Sequence, residues 1–165
     1  MLALEMKSET RLHSCCFTGH RPEKLSQPER VIIAALEREI RAAVDDGFVT
    51  FISGMARGVD IWAAEIVLQV KAEGHPLYLI CASPFEGFER SWSADWKRRY
   101  HDALAAADLV KYISPAYSPA CFQIRNEWMV DRSARVIAVF SGENGGTKNT
   151  INYAARKGVQ VINVI

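Results

Sequence analysis

The densest chemistry in the chain lies in Phe51-Ile52-Ser53-Gly54-Met55-Ala56-Arg57-Gly58-Val59-Asp60. An apolar run from Val49 to Ile52 stops at Ser53-Gly54. Gly58 then opens a helical pattern that carries Ile61, Ala64, Val67 and Leu68. A strand, a turn of small residues around Ala56 and a helix start together make an anion site. The first N–H groups of a helix have no partner inside it, and the helix dipole adds positive potential at the same point. Gly54 and Gly58 would let the backbone come close to a phosphate, and Arg57 presents a planar fork of donors suited to one. Asp60 falls in the first helical turn, where a carboxylate is electrostatically favoured. There it would brace Arg57, stabilise the helix or take a ligand hydroxyl.

Two more loops have unusual content. Thr18-Gly19-His20-Arg21-Pro22-Glu23-Lys24-Leu25 follows an apolar strand, with a glycine and three potential cations placed directly after it. His20 is a hydrogen-bonding fixture, a contact to phosphate or base, or an acid–base group. Pro22 stiffens the exit. Ser141-Gly142-Glu143-Asn144-Gly145-Gly146-Thr147-Lys148-Asn149-Thr150 also follows a strand and opens a helix. Gly145 and Gly146 expose backbone donors there, and Thr147 or Thr150 offers a hydroxyl to a phosphate oxygen or caps the helix. Two such loops on one edge of a sheet would converge on one anion. Arg125-Asn126 lies within a helical pattern beside Trp128 and Met129, as a structural clamp or a ligand contact. Pro84-Phe85-Glu86-Gly87-Phe88 would wall a cleft, with Phe85 packing rather than stacking on a base.

These loops need strands to hold them. Apolar runs at Ser14–Thr18, Phe48–Ile52, Leu77–Cys81, Leu109–Ile113, Val136–Phe140 and Gln160–Val164 alternate with helical patterns at Pro28–Asp46, Gly58–Glu73, Ser91–Ala107, Pro119–Ser133 and Thr147–Lys157. In the first helix Ile32, Leu36, Ile40 and Val44 recur four apart, and Gly47 ends it. In the third, Trp92, Trp96, Tyr100 and Leu104 do the same, as expected of a core or subunit contact. Alternating strands and helices predict an α/β fold, a mostly parallel six-stranded sheet with helices on both faces. Ligands in such sheets sit beyond the carboxyl ends of the strands. Residues 1–13 read as a tail and residues 14–165 as one domain.

Composition sets limits. Of 165 residues, 49% are hydrophobic, enough for a substantial core. Lys and Arg number 20 against 19 for Asp and Glu, so strong nonspecific binding to duplex nucleic acid is not indicated. Cys15, Cys16, Cys81 and Cys121 contain no C-x-x-C pair and read as reduced, structural cysteines of a cytoplasmic protein. Met1 to His13 lack the apolar core of a secretory signal, and no run reaches the length of a membrane span. His13, His20, His75 and His101 show no metal-ligand spacing. A Walker pattern, a G-x-G-x-x-G fingerprint and a Ser-His-Asp order are absent, so no catalytic residue is assigned.

Taken together the motifs resemble the SLOG superfamily. Gly19-His20-Arg21-Pro22-Glu23-Lys24-Leu25 looks like the signature of its YpsA-like members. The Ser53–Asp60 segment is similar to the glycine-rich motif shared with the DNA-processing protein DprA. Phe122-Gln123-Ile124-Arg125-Asn126 and Gly145-Gly146-Thr147-Lys148-Asn149-Thr150-Ile151-Asn152-Tyr153-Ala154 match later blocks in order. The resemblance covers nearly the whole chain from Ser14. It implies a single Rossmann-like domain with strand order 4-3-2-1-5-6. It also implies a cleft for a nucleotide or nucleotide-derived ligand, ADP-ribose-like compounds included, in a sensor or binding module. Dimers are implied as well, with the aromatic helix as the contact. Two relatives imply alternatives, single-stranded DNA binding as in DprA and cleavage of the N-glycosidic bond of a nucleotide as in LOG-like proteins. In the latter a Glu follows a Pro-Gly-Gly-x-Gly-Thr run closely. Here Lys148, Asn149 and Thr150 follow Thr147, which leaves Glu143 and Asp60 as the candidate acids.

Overall fold

The computed structural model describes residues 9–165. Of the expected N-terminal tail, residues 9–12 are helical and residues 1–8 lie outside the described residues. Six strands follow: β1 Ser14–Gly19, β2 Thr50–Ser53, β3 Tyr78–Ser83, β4 Leu109–Tyr112, β5 Arg135–Val139 and β6 Gln160–Asn163. Five helices connect them: α1 Glu29–Asp45, α2 Val59–Ala72, α3 Ala94–Ala106, α4 Cys121–Asp131 and α5 Gly146–Arg156. A short 3-10 turn, Pro22–Lys24, lies between β1 and α1.

All five strand pairings are parallel, and the sheet order is β4-β3-β2-β1-β5-β6. The strand order reverses between β1 and β5. Their registers run level, from Cys15 opposite Arg135 to Gly19 opposite Val139. The loops that leave β1 and β5 therefore start side by side, and the His20 and Phe140 rings lie 5.9 Å apart.

Strand alternation divides the core. Cys15, Phe17, Phe51, Ile137 and Val139 face α1, α2 and α3, while Cys16, Ile52 and Val136 face α4 and α5. This accounts for the continuous apolar runs of β1 and β5, which are buried on both faces. All four cysteines are free and buried. No helix among the described residues is long and apolar enough to cross a membrane.

Most element boundaries shift by one to three residues from the sequence reading, and two of the shifts have a clear local cause. Strand β2 starts at Thr50 rather than Phe48, because Phe48 closes α1: its amide donates to the Ala43 carbonyl (2.9 Å), and the Gly47 amide donates to Val44 (3.0 Å). That pair of bonds is a helix-terminating motif, and Gly47 takes the left-handed conformation it needs. Helix α3 starts at Ala94 rather than Ser91. Ser93 caps it by accepting from the Trp96 amide (3.4 Å), so Trp92 falls in the preceding turn. The rest of the aromatic stripe packs inward, with Tyr100 buried and Trp96 against Trp62 at 6.2 Å.

Gly58 joins the first loop to the start of α2. It caps the helix at φ +90°, and a Cβ there would lie 2.9 Å from Pro22 Cδ. The 3-10 turn rests on the space a side chain would fill. Gly58→Ala should therefore cost roughly 1–3 kcal/mol of stability, from left-handed strain plus overpacking. Urea unfolding of wild type and variant measures it, and a change below a few tenths of a kcal/mol would contradict this account.

Candidate functional site

Strand β2 ends in a cross-linked turn. Ser53 Oγ donates to the Asp60 carbonyl (2.7 Å) and accepts from the Met55 amide (3.2 Å), while the Ala56 amide donates to Asp60 Oδ2 (3.2 Å). Met55 sits at φ +64°. The turn is thus held by its own side chains. Arg125 reaches it from α4, donating through a terminal guanidinium nitrogen to the Gly54 carbonyl and through Nε to Asn126 Oδ1 (2.8 Å). A Cβ on Gly54 would lie 2.9 Å from both Arg125 and Asp60. The glycine is required here because two polar side chains meet over it.

Arg125 and Asp60 are both buried. Among the described residues no carboxylate comes within ion-pair distance of Arg125. Burial pushes the Asp60 carboxyl up to about 6, against the lowering effects of the Arg125 charge and the Ala56 amide. Burial likewise lowers Arg125 from its ordinary value, with the Asp60 charge opposing. Asp60 therefore braces the turn and faces Arg125 rather than Arg57. Arg57 pairs with Glu23 at 3.2 Å.

Above this turn lies a cleft of about 430 Å3 at the carboxyl ends of β1, β2 and β5. Thr18, Gly19, His20 and Arg21 line it from the β1 loop, and Ala56, Arg57 and Asp60 from the β2 turn. Arg125 and Asn126 come from α4, and Gly145, Gly146 and Thr147 from the start of α5. No side chain caps α5, whose cap residue Gly145 lies at φ +144°, so its first amides are open to an anion. His20 is buried, and its Nε2 has no hydrogen-bond partner among the described residues. Burial, aided by Lys24 and opposed by Glu143, lowers the imidazole from its ordinary value, which leaves it neutral near pH 7.

Four residues named from sequence do not line this cleft. Ser53 and Thr150 spend their hydroxyls inside the fold, Thr150 Oγ1 donating to the Gly146 carbonyl at 2.8 Å. Gly54 and Gly58 make room for protein atoms, Arg125 and Pro22, rather than for a ligand. Phe88 lines the cleft, from the segment expected to wall one, and Phe17, Lys24, Trp92, Phe122 and Asn144 line it although the sequence reading does not name them as site residues. Phe122 had a signal, since residues 122, 125 and 126 share one helix face. Trp92 had one too, in the Ser93 start signal that excludes it from α3. Phe85 packs against Phe88, Tyr117 and Phe122, as its sequence context suggested. Among the described residues no cluster of three or more His, Cys, Asp or Glu side chains could hold a metal ion.

A family model described as the YspA SLOG family matches residues 15–161. The chain is 30% identical over 125 residues to the UPF0398 protein BH1768 of Halalkalibacterium halodurans, covering 74% of this chain and 66% of that one. It is similar in fold to the DNA processing protein A of Streptococcus pneumoniae (TM-score 0.62, 19% identity), over 92% of this chain and half of that one. It is similarly related to the Helicobacter pylori protein of that name, whose structure concerns its single-stranded DNA binding mode (TM-score 0.62, 21% identity, covering 94% and 66%).

The raised Asp60 carboxyl makes stability depend on pH. Between about pH 4 and 6 the folded protein keeps a proton there that the unfolded chain has lost, so stability falls as pH rises through this window. The effect is on the order of 2–3 kcal/mol. Asp60→Asn should lack it. In urea unfolding the wild type should lose ground to the variant between pH 4 and 6.5, and a constant difference would contradict the buried, proton-holding carboxyl.

Proposed function

The chain belongs to the YspA SLOG family, and from that premise we propose that its cleft binds a nucleotide or nucleotide-derived ligand, as a cytoplasmic sensor or binding module. What carries the reading is the convergence of three features in one cleft. The uncapped start of α5 offers backbone donors to a phosphate. Arg21, Lys24, Arg57 and Arg125 set four cations against one lining carboxylate, Asp60. Phe88, Trp92 and Phe122 supply apolar rings against which a base can stack. In this arrangement the phosphate sits on Gly145–Thr147 with Arg57 beside it, and the base lies toward the rings. The buried Nε2 of His20 is left for a neutral polar group of the ligand.

A second reading has its own observation. The Asp60 carboxyl inside the cleft is pushed up to about 6, toward the range a general acid or base needs. Hydrolysis of a nucleotide N-glycosidic bond would use it, and free base released from a nucleoside monophosphate, lost in Asp60→Asn, would support that reaction.

Calorimetric titration with adenosine 5′-monophosphate, ADP-ribose, adenosine and an oligodeoxythymidylate is the direct test. A phosphorylated adenine compound should bind more tightly than adenosine. Arg57→Ala should weaken it about 3- to 10-fold, the loss of one charge-assisted contact at a partly buried position. Trp92→Ala should weaken adenosine and its phosphate alike. Tight, steeply salt-dependent binding of the oligonucleotide alone would replace this reading with single-stranded DNA binding.

A further inference from the structure

Arg57, the most accessible strong cation at the α2 side of the cleft, is not left free. Glu23 Oε1 lies 3.2 Å from its guanidinium and 3.8 Å from Arg21 Nε. The carboxylate is carried by the 3-10 turn Pro22–Lys24, which Pro22 seats against Gly58 at the start of α2. Glu23 therefore approaches Arg57 from a fixed base, with a flexible side chain that is half exposed. Glu23 also lines a second hollow, of about 460 Å3, together with Leu25, Ser26, Ser141 and Glu143. Lys24 lines both this hollow and the cleft. The turn thus borders both spaces, and the hollow leaves room beside the carboxylate.

We propose that Glu23 is an internal counter-anion that occupies Arg57 until a phosphate displaces it, and so sets how strongly an anion must bind to enter the cleft. The inference rests on the anion-binding reading of the cleft. A ligand with a dianionic phosphate outcompetes a single carboxylate for the guanidinium, because it brings more charge and more acceptor oxygens to the same donors. A ligand with a lone carboxylate gains little over Glu23, so its net binding at Arg57 is weak. The backbone amide of Glu23 is the largest influence lowering its carboxyl from the ordinary value, with Arg57 and Arg21 adding to it, so the counter-anion remains charged at neutral pH. The contact is a partly exposed ion pair and is weak enough to be exchanged.

The test titrates inorganic phosphate, acetate, adenosine 5′-monophosphate and adenosine into wild type, Glu23→Gln, Arg57→Ala and the double variant, followed by NMR of the backbone and arginine side-chain N–H signals. Glu23→Gln should bind phosphate, adenosine 5′-monophosphate and acetate roughly two- to fivefold more tightly and leave adenosine unchanged. In the Arg57→Ala background the gain should vanish. Equal or weaker phosphate binding by Glu23→Gln overturns the proposal, as does a gain that survives without Arg57. If phosphate binds at Arg57 with the expected gain while neither adenosine compound binds, Glu23 keeps this role and the nucleotide reading falls. If phosphate binds neither protein, both fall.

Discussion

A buried guanidinium governs the site. Arg125 lies beneath the turn after β2, where no carboxylate stands within ion-pair distance among the described residues, and it donates to the Gly54 carbonyl. A buried charge without a close partner is expensive, and the neighbouring structure follows from that cost. Gly54 must lack a side chain, since Arg125 and Asp60 fill the space over it. Asp60 must sit near enough to offset the charge and deep enough that its own proton is held up to about pH 6. The turn, in its turn, is fixed by Ser53 and by the Ala56 amide, so the backbone that leads to Arg57 has little freedom. Helix α4 is thereby tied to the sheet by polar contacts at its cleft end, while Met129 and Val130 hold it by apolar packing farther along.

The sheet topology explains why these parts meet. Connections from β1 through β4 place α1, α2 and α3 on one face, and the crossovers through α4 and α5 lie on the other. Only where the order reverses, between β1 and β5, do loops diverge to opposite faces and leave a crevice. The level registers of these two strands bring His20 and Phe140 abreast at its floor. Helix starts from opposite faces, α2 and α5, then open beside the same crevice, each without a side-chain cap.

Much of this was legible in the chain. Two-sided apolar strands, four-residue helical spacing and Gly47 as a stop gave the elements in order. The family motifs supplied the strand order, which periodicity alone does not contain. The three loops could be named because glycine, small residues and cations cluster after strands. What each residue does within a loop was less legible, because it depends on contacts distant in sequence. Gly54 reads as a phosphate-approach glycine until Arg125, 71 residues later, is found over it. Arg57 reads as a free cation until Glu23, 34 residues earlier, is found beside it. Trp92 was assigned to a helix by its spacing from Trp96, although the local cap at Ser93 decides otherwise. In each case a pattern was visible, and a partner or a cap outside that pattern determined its use.

Charge distribution gives the last constraint. The chain is nearly balanced overall, with 20 basic against 19 acidic residues. On the flanks the charges pair off, as in Arg41 with Glu73, Lys71 with Asp108 and Arg99 with Glu65. At the cleft Arg21, Lys24, Arg57 and Arg125 line one space with Glu23 against two of them, which does not make a field reaching far from the surface. At physiological salt such a field would in any case be screened within about 8 Å. A long polyanion is attracted by an extended basic track, whereas this arrangement concentrates its attraction in a space of about 430 Å3 walled by aromatic rings. On the reading proposed above, recognition would fall to contact geometry, and a compact ligand with one anionic end and one flat end would satisfy more of that geometry than a strand passing over the surface.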